Sequence, residues 1–417
     1  MKSLHFSLAV LLATGTMLSA ADTLADAFKN GKLQGELKAY YYDRDWSNGT
    51  TATGTAIKGD IINLGVKLDY ETAPFYNFRV GFGFQSSNAP WVDDDGKLAY
   101  GTTPGPGAMD MWGSGAVLSQ AYLAYDFTKL TSIKVGRQYI DMPLIGSAPS
   151  RLIVESFQGV SLVSKEFANT TIMAAYVDKF QGWTDGTGDI ADFGSSMNGS
   201  KFDYAYAIAI INKSLTNTTL TAAYGAVDST DMSGINDTSY KMIYVDALYQ
   251  GKTSSLTYEL AAQYGNVNYD SGLISDANFY GIKAGIGFSG LNLYAAYDKI
   301  ADGNAWWGVA GSGTKPLIYT STVVFAGGFD ESTQYAFDIN YLIKPIDLTL
   351  GARYVNVDYK GDSPIAGDKA DITSVYAGVM FSGALKGLGA TIAYEDENHD
   401  VNANDKKELW FRSSYRF

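Results

Sequence analysis

The chain of 417 residues contains no cysteine. Disulfide frameworks, thiolate metal sites and cysteine nucleophiles are therefore excluded. It has two histidines, His5 and His399, too few for a histidine-rich metal site. Charged residues make up 18 per cent, against about 25 per cent in ordinary soluble chains. No stretch approaches the roughly 20 consecutive apolar residues of a membrane helix. The formal charge is −13, which repels nucleic-acid phosphates rather than holding them. What is plentiful is Tyr (30), Gly (45) and a hydrophobic fraction of 46 per cent. That mixture suits strands with one apolar face and one small or polar face.

The N-terminus reads as an export address. Lys2 precedes the apolar run Phe6-Ser7-Leu8-Ala9-Val10-Leu11-Leu12-Ala13, and small residues follow as far as Ser19-Ala20-Ala21. A basic start, a short apolar core and a small-x-small site make a secretory signal peptide over residues 1–21, cut before Asp22. Residues 22–31 then form a short periplasmic segment, with two helical turns expected over 23–29, and residues 32–417 form the barrel.

From residue 33 onward the period is two. In Ile62-Asn63-Leu64-Gly65-Val66-Lys67-Leu68-Asp69-Tyr70 every second residue is apolar, and Phe78-Arg79-Val80-Gly81-Phe82-Gly83-Phe84-Gln85 repeats the pattern. About eighteen such segments occur, each near the ~10 residues that cross a bilayer at a tilt. Short turns at 72–75, 128–130, 166–170, 212–217, 251–254, 289–290, Pro345 and 383–387 alternate with longer loops. The fold expected is all-β, a transmembrane antiparallel barrel with short periplasmic turns and long extracellular loops. So many strands enclose a lumen too wide for side chains to fill. The polar face is therefore expected to look inward at water. Tyr70, Tyr125, Phe127, Phe288, Phe381 and Phe417 fall beside short turns, where an interfacial girdle belongs.

Catalytic and metal motifs fail. Asp93-Asp94-Asp95-Gly96 lacks the ligand positions of a calcium loop, and Gly251-Lys252-Thr253 lacks the first glycine of a phosphate loop. His399, in Glu395-Asp396-Glu397-Asn398-His399-Asp400, reads as a surface loop residue. No metal and no cofactor are implied, and no enzyme activity is expected.

Parity sends Glu36, Lys38, Lys67, Arg79, Lys134, Asp246, Glu259, Lys283, Asp298, Asp338, Arg353, Arg412 and Arg416 to the lumen. A midplane Arg or Lys facing lipid would cost about 2–4 kcal/mol. Arg137 shares the face of Ile133 and Val135, so a strand end or bend is expected there. The loop 301–334, with Trp306-Trp307-Gly308 and Tyr319, is expected to pack on the barrel rim, with a cell-surface or lid contact as the alternative.

Val135-Gly136-Arg137-Gln138 leads through Met142-Pro143-Leu144 to Ser150-Arg151-Leu152 and Ser156-Phe157-Gln158-Gly159. This resembles the OprD family of outer-membrane porins, which carry a Gly-Arg-Gln strand end, a Pro-Leu turn, a Ser-Arg dipeptide and a Phe-x-Gly strand entry. Where members often have Pro-Asn before the Phe, this chain has Val154-Glu155. The resemblance implies that loop 141–156 folds inward as a constriction, with Asp141, Arg151 and Glu155. It also implies a ladder of basic wall residues: Lys38, Arg79, Lys134, Arg353, Arg412 and Arg416, with Lys283 also lining the pore. Terminal Phe417 looks like the signal read by barrel-assembly machinery.

The expected function is passive diffusion of small hydrophilic solutes (ions, amino acids, organic acids) across a Gram-negative outer membrane, amid lipid and lipopolysaccharide. The alternatives are a barrel used as an adhesin and an outer-membrane hydrolase. Monomer and homotrimer are both left open, as are anion or cation preference and any divalent cation on a loop.

Overall fold

The computed structural model describes residues 21–50, 56–92, 95, 114–185, 188–197, 200–272, 274–304, 308–314, 318–324, 329–401 and 404–417. Residues 1–20, which carry the export pattern, lie outside them. A short helix α1 (Leu24–Lys29) opens the described chain, capped by Thr23, whose Oγ accepts from the Asp26 amide at 3.1 Å.

Eighteen long strands follow: β1 (Lys32–Thr50), β2 (Ala56–Glu71), β3 (Phe78–Val92), β4 (Gly115–Asp126), β5 (Thr131–Gln138), β6 (Ser156–Ser164), β7 (Thr170–Gln181), β8 (Ser200–Asn212) and β9 (Thr218–Asp231) make the first half. The second half is β10 (Tyr240–Lys252), β11 (Leu256–Tyr269), β12 (Ala277–Phe288), β13 (Leu291–Asn304), β14 (Asp330–Ile343), β15 (Leu348–Tyr359), β16 (Lys369–Met380), β17 (Leu388–His399) and β18 (Lys406–Arg416). Each pairs antiparallel with its chain neighbour. The barrel closes where β1 meets β18, from Glu36↔Arg416 through Tyr40↔Arg412 to Asp45↔Lys407. Among the described residues every long strand is thus paired on both sides, the condition for backbone to cross hydrocarbon.

The outward set is apolar and exposed: Leu37, Leu64, Phe82, Leu123, Ile208, Leu260, Ile282, Phe337, Ile392 and Phe411. Phe127, Phe288, Phe381 and Phe417 are exposed at the short-turn rim. Tyr176, Tyr206, Tyr224, Tyr264, Tyr280, Tyr297, Tyr335 and Tyr394 are exposed six to eight residues further along their strands. At about 3.3 Å per residue this separates two aromatic girdles by roughly 20–26 Å along the tilted strands. β5 ends at Gln138, so Arg137 does sit at a strand end, its guanidinium 4.2 Å from the ring centroid of Phe193.

The interior departs from the uniformly polar face expected. Across β7–β13 the inward side chains include Met173, Ala175, Ala205, Ala207, Ala209, Ala223, Met242, Phe279 and Ile300, and they form one buried apolar cluster with residues from two loops. The reason is steric. Alanine and methionine on the inner wall leave room for loops to fold in, and these side chains are buried against the loops rather than wetted.

Candidate functional site: a lumen narrowed by two loops

The connection between β5 and β6 turns into the barrel. Asp141–Met142 pairs with Ile145–Gly146, and Pro143-Leu144 form the tip of this small hairpin. Ile140, Met142, Leu144 and Ile145 are buried against the apolar half-wall. The chain then crosses to the opposite side. Arg412 Nη1 donates to Ser150 O at 3.3 Å, and Lys38 Nζ to Leu152 O at 2.8 Å. Gln85 clamps Val154 twice, its Nε2 donating to the carbonyl at 2.9 Å and its Oε1 accepting from the amide at 2.8 Å. Between these anchors the Arg151 guanidinium lies 4.8 Å from the Trp183 ring centroid and 4.7 Å from that of Trp410. Residues 141–156 thus span the lumen, as the resemblance implied.

A second loop does the same, and the rim placement expected for it is wrong. Trp306 and Trp307 lie outside the described residues, but 308–314 and 318–324 are inside the barrel. Val309 N donates to Leu144 O at 2.7 Å, Gly146 N to Ala310 O at 3.1 Å, and Gly313 N to Gly146 O at 2.9 Å. Its far part is held by the wall. Arg353 Nη2 donates to Tyr319 O at 2.9 Å. Thr320 N donates to Asp298 Oδ2 at 2.7 Å, and Glu395 Oε2 accepts from Val323 N and Val324 N at 2.9 and 3.1 Å. A sequence clue existed: Ile318-Tyr319 and Val323-Val324 are two apolar pairs close together inside a long loop, and a solvated loop has no use for them.

Glu155 joins the two loops. Expected as an acid facing solutes, it is instead buried, and its Oε2 accepts from Ala148 N and Ser312 N, each at 2.9 Å. Asp141 lies half-buried at the start of the hairpin rather than at its tip.

Charged side chains line the wall beside and beneath the two loops, and Lys38, Arg412, Arg353 and Asp298 among them hold loop backbone. On β1–β5 and β18, Lys38, Arg79 and Arg416 of the ladder pair with acids, whereas Lys134 and Arg412 meet a ring and a loop carbonyl. Arg416 Nε lies 2.9 Å from Glu36 Oε1, and Lys38 Nζ 3.8 Å from Glu36 Oε2. Lys67 contacts Asp69, while Arg79 reaches Glu71 at 2.5 Å and Asp126 at 2.7 Å. Lys134 sits 4.3 Å from the ring centroid of Tyr122, whose hydroxyl donates to Glu71 at 2.6 Å. Asp69, Glu71, Tyr122 and Asp126 were missed as lining groups, although Asp69 and Glu71 share the parity of Lys67. Across the barrel on β10–β15, Lys283 pairs with Glu259 at 3.0 Å and Asp338 accepts from Tyr376 at 2.9 and 3.0 Å. Asp246 and Asp298 stand on the same side.

His399 is a second correction. It is buried, not a free surface residue: Nδ1 lies 2.8 Å from Asp368 and Nε2 2.7 Å from Glu397, with Tyr359 stacked on the ring. Asp93, Asp94 and Gly96 lie outside the described residues. Gly251 and Lys252 end β10 at a short turn, as expected.

A family model described as outer membrane porin, OprD family, matches residues 26–416. No curated protein matches the sequence. Among solved structures, the chain is similar to OccK3 (OpdO) of Pseudomonas aeruginosa, with TM-score 0.74 and 16% identity over 94% of this chain and 97% of that one. OccAB2 of Acinetobacter baumannii gives 0.74 and 19% over 94% and 99%, and a BenF-like porin of Pseudomonas fluorescens Pf-5 gives 0.76 and 14% over 94% and 99%. With the closed eighteen-strand barrel and its inward loops, the family match makes the chain a member of the OprD family of outer-membrane porins, a channel of the Gram-negative outer membrane for uptake of small solutes.

Proposed function

We propose that solutes pass between the two loops and the charged wall beside them, and that this wall favours small molecules carrying both a carboxylate and a basic group. The observation that supports it is the distribution of lumen charge. The β1–β5 and β18 side carries the bases Lys38, Lys67, Arg79, Lys134, Arg412 and Arg416 against the acids Glu36, Asp69, Glu71 and Asp126. The β10–β15 side carries Asp246, Glu259, Asp298 and Asp338 against Lys283 and Arg353. One side is richer in bases and the other in acids, so a transverse field crosses the lumen and orients a dipolar solute. Because most bases have an acid beside them, no continuous positive track draws a simple anion through.

Loop 141–156 and its partner loop act as the constriction in this reading, and Arg151 and Arg412 fix the bore. Phe417 is the assembly signal: its amide and carbonyl pair with Gly35 at 3.0 and 2.9 Å, which sets the terminal ring on the outer wall. Residues 1–21 serve as the export signal and 22–31 as a periplasmic segment.

Planar-bilayer recording tests the selectivity. In a tenfold KCl gradient the reversal potential is expected near zero, and proteoliposomes are expected to swell faster in a zwitterionic amino acid than in a monocarboxylate of equal size. A strongly anion-selective channel with the opposite swelling order would refute the reading.

A further inference from the structure

Helix α1 carries an apolar stripe that the barrel does not cover. Leu24 is 59% exposed and Phe28 46% exposed, one helical turn apart, while Ala27, about 60° round the helix from Leu24, is 1% exposed. Asp26 and Lys29 occupy the other side. A six-residue helix does not persist alone in water. This one is tied to the turn after β2, where Ala73 N donates to Ala27 O at 2.9 Å.

Tyr70 fixes which side of the wall the helix lies on. It alternates with the outward residues Leu64, Val66 and Leu68, and its hydroxyl donates to Phe28 O. The helix therefore meets the lipid side of the short-turn rim, not the lumen. The exposed side chains of Leu33, Phe78 and Phe417 stand on that same rim, so the stripe continues the aromatic girdle.

The geometry points to α1 as an interfacial anchor: Leu24 and Phe28 insert among the acyl chains of the periplasmic leaflet, with Lys29 at the level of the lipid phosphates. An apolar helix face with a polar opposite face lies in the headgroup boundary in this way. Here the barrel supplies the order and the lipid covers the remaining face.

The absence of cysteine makes the test direct. In the full-length barrel, Phe28→Cys and Leu24→Cys each carry one nitroxide label, with Lys29→Cys as the polar-side control. The proteins are reconstituted in phosphatidylethanolamine–phosphatidylglycerol vesicles. Heat-modifiable gel mobility confirms the folded barrel, and the two apolar positions report the same surface if one fails to fold. Labels at 28 and 24 are expected to relax readily with oxygen and poorly with a water-soluble nickel chelate, the reverse of the label at 29. Equal access to the nickel chelate at 28, 24 and 29 would place the stripe in water and overturn the proposal. Shielding from both reagents would place it against protein and overturn it equally.

Discussion

His399 Nδ1 stands 2.8 Å from Asp368 Oδ2, which ties the loop end of β17 to the loop between β15 and β16. Nε2 meets Glu397 at 2.7 Å, so both ring nitrogens face carboxylates, and both must donate. Asp368 also accepts from Val401 N at 3.0 Å and Asn404 Nδ2 at 2.9 Å, gathering the last two outer loops onto one carboxylate. The cluster lies beyond the Tyr394 girdle, outside the bilayer.

Burial lowers the affinity of His399 for its second proton, but Glu397 and Asp368 outweigh it and the imidazole pKa is raised. Burial raises Asp368, and Asn404, Val401 N–H and His399 outweigh it, so its carboxyl is lowered. A raised imidazole stabilises fully below its unfolded value of about 6.5 and loses that contribution as pH climbs through the folded value. Lowered carboxylates stabilise above their unfolded values of about 4 and lose the contribution as pH falls through the folded ones. The clamp is therefore tightest between those limits and loosens in alkali. Limited proteolysis of loops 360–368 and 400–405 is expected to speed up as pH rises past the raised imidazole value. In His399→Ala it is expected to be fast at every pH. A wild-type rate that is flat from pH 6 to 10 would contradict this.

Arg151 couples the constriction loop to the Trp410 indole of the wall and to the Trp183 indole just past β7. Each cation–π contact contributes about 0.5–2 kcal/mol depending on desolvation. Arg151→Ala removes both contacts, side-chain volume and one positive charge from the narrow level. Single-channel conductance is expected to increase and the reversal potential to shift toward cation preference. Unchanged currents would separate Arg151 from the constriction.

Glu155 holds both loops through one oxygen. Glu155→Ala leaves the buried Ala148 amide without an acceptor, at a cost of about 1–3 kcal/mol, and frees the half-buried Ser312 amide as well. Open-channel noise is expected to grow, and amide exchange at 148 and 312 to accelerate together. Glu155→Gln keeps a carbonyl acceptor and is expected to restore most of the protection. If the alanine variant exchanges like the native protein, the staple is not what holds the loops.

The wall was legible because alternation reports inside and outside, strand by strand: all eighteen long strands lie where the period of two placed them. What alternation cannot report is what the inner face meets. In Tyr204-Ala205-Tyr206-Ala207-Ile208-Ala209-Ile210 both faces are apolar, and the difference is size, small inside and large outside. That pattern marks space reserved for a loop, and a polarity reading passes over it. The loop anchors were hidden for a different reason. Lys38, Gln85 and Arg412 sit on strands far from residues 150–154 in sequence, so only closure of the barrel brings them together. His399 was misread because its two carboxylate partners complete a buried site only when three segments meet.

Leu144 shows how packing holds the hairpin tip in a conformation its side chain disfavours. Its φ is 72°, in the left-handed region that glycine occupies freely and a branched side chain does not. Such a position costs about 1–3 kcal/mol. Against this, the side chain is fully buried, contributing about 1.5–3 kcal/mol. Its carbonyl also accepts from Val309 N at 2.7 Å and Ala310 N at 3.2 Å. Leu144→Ala keeps the strain and loses the packing. Leu144→Gly loses the packing but relieves the strain. The glycine variant is therefore expected to hold the loop better than the alanine variant, the reverse of the usual order at ordinary backbone positions. Hydrogen exchange at Gly146 and Val309 measures it: slower exchange in Leu144→Gly than in Leu144→Ala is the expected result. The opposite ranking would mean that the left-handed tip carries no strain.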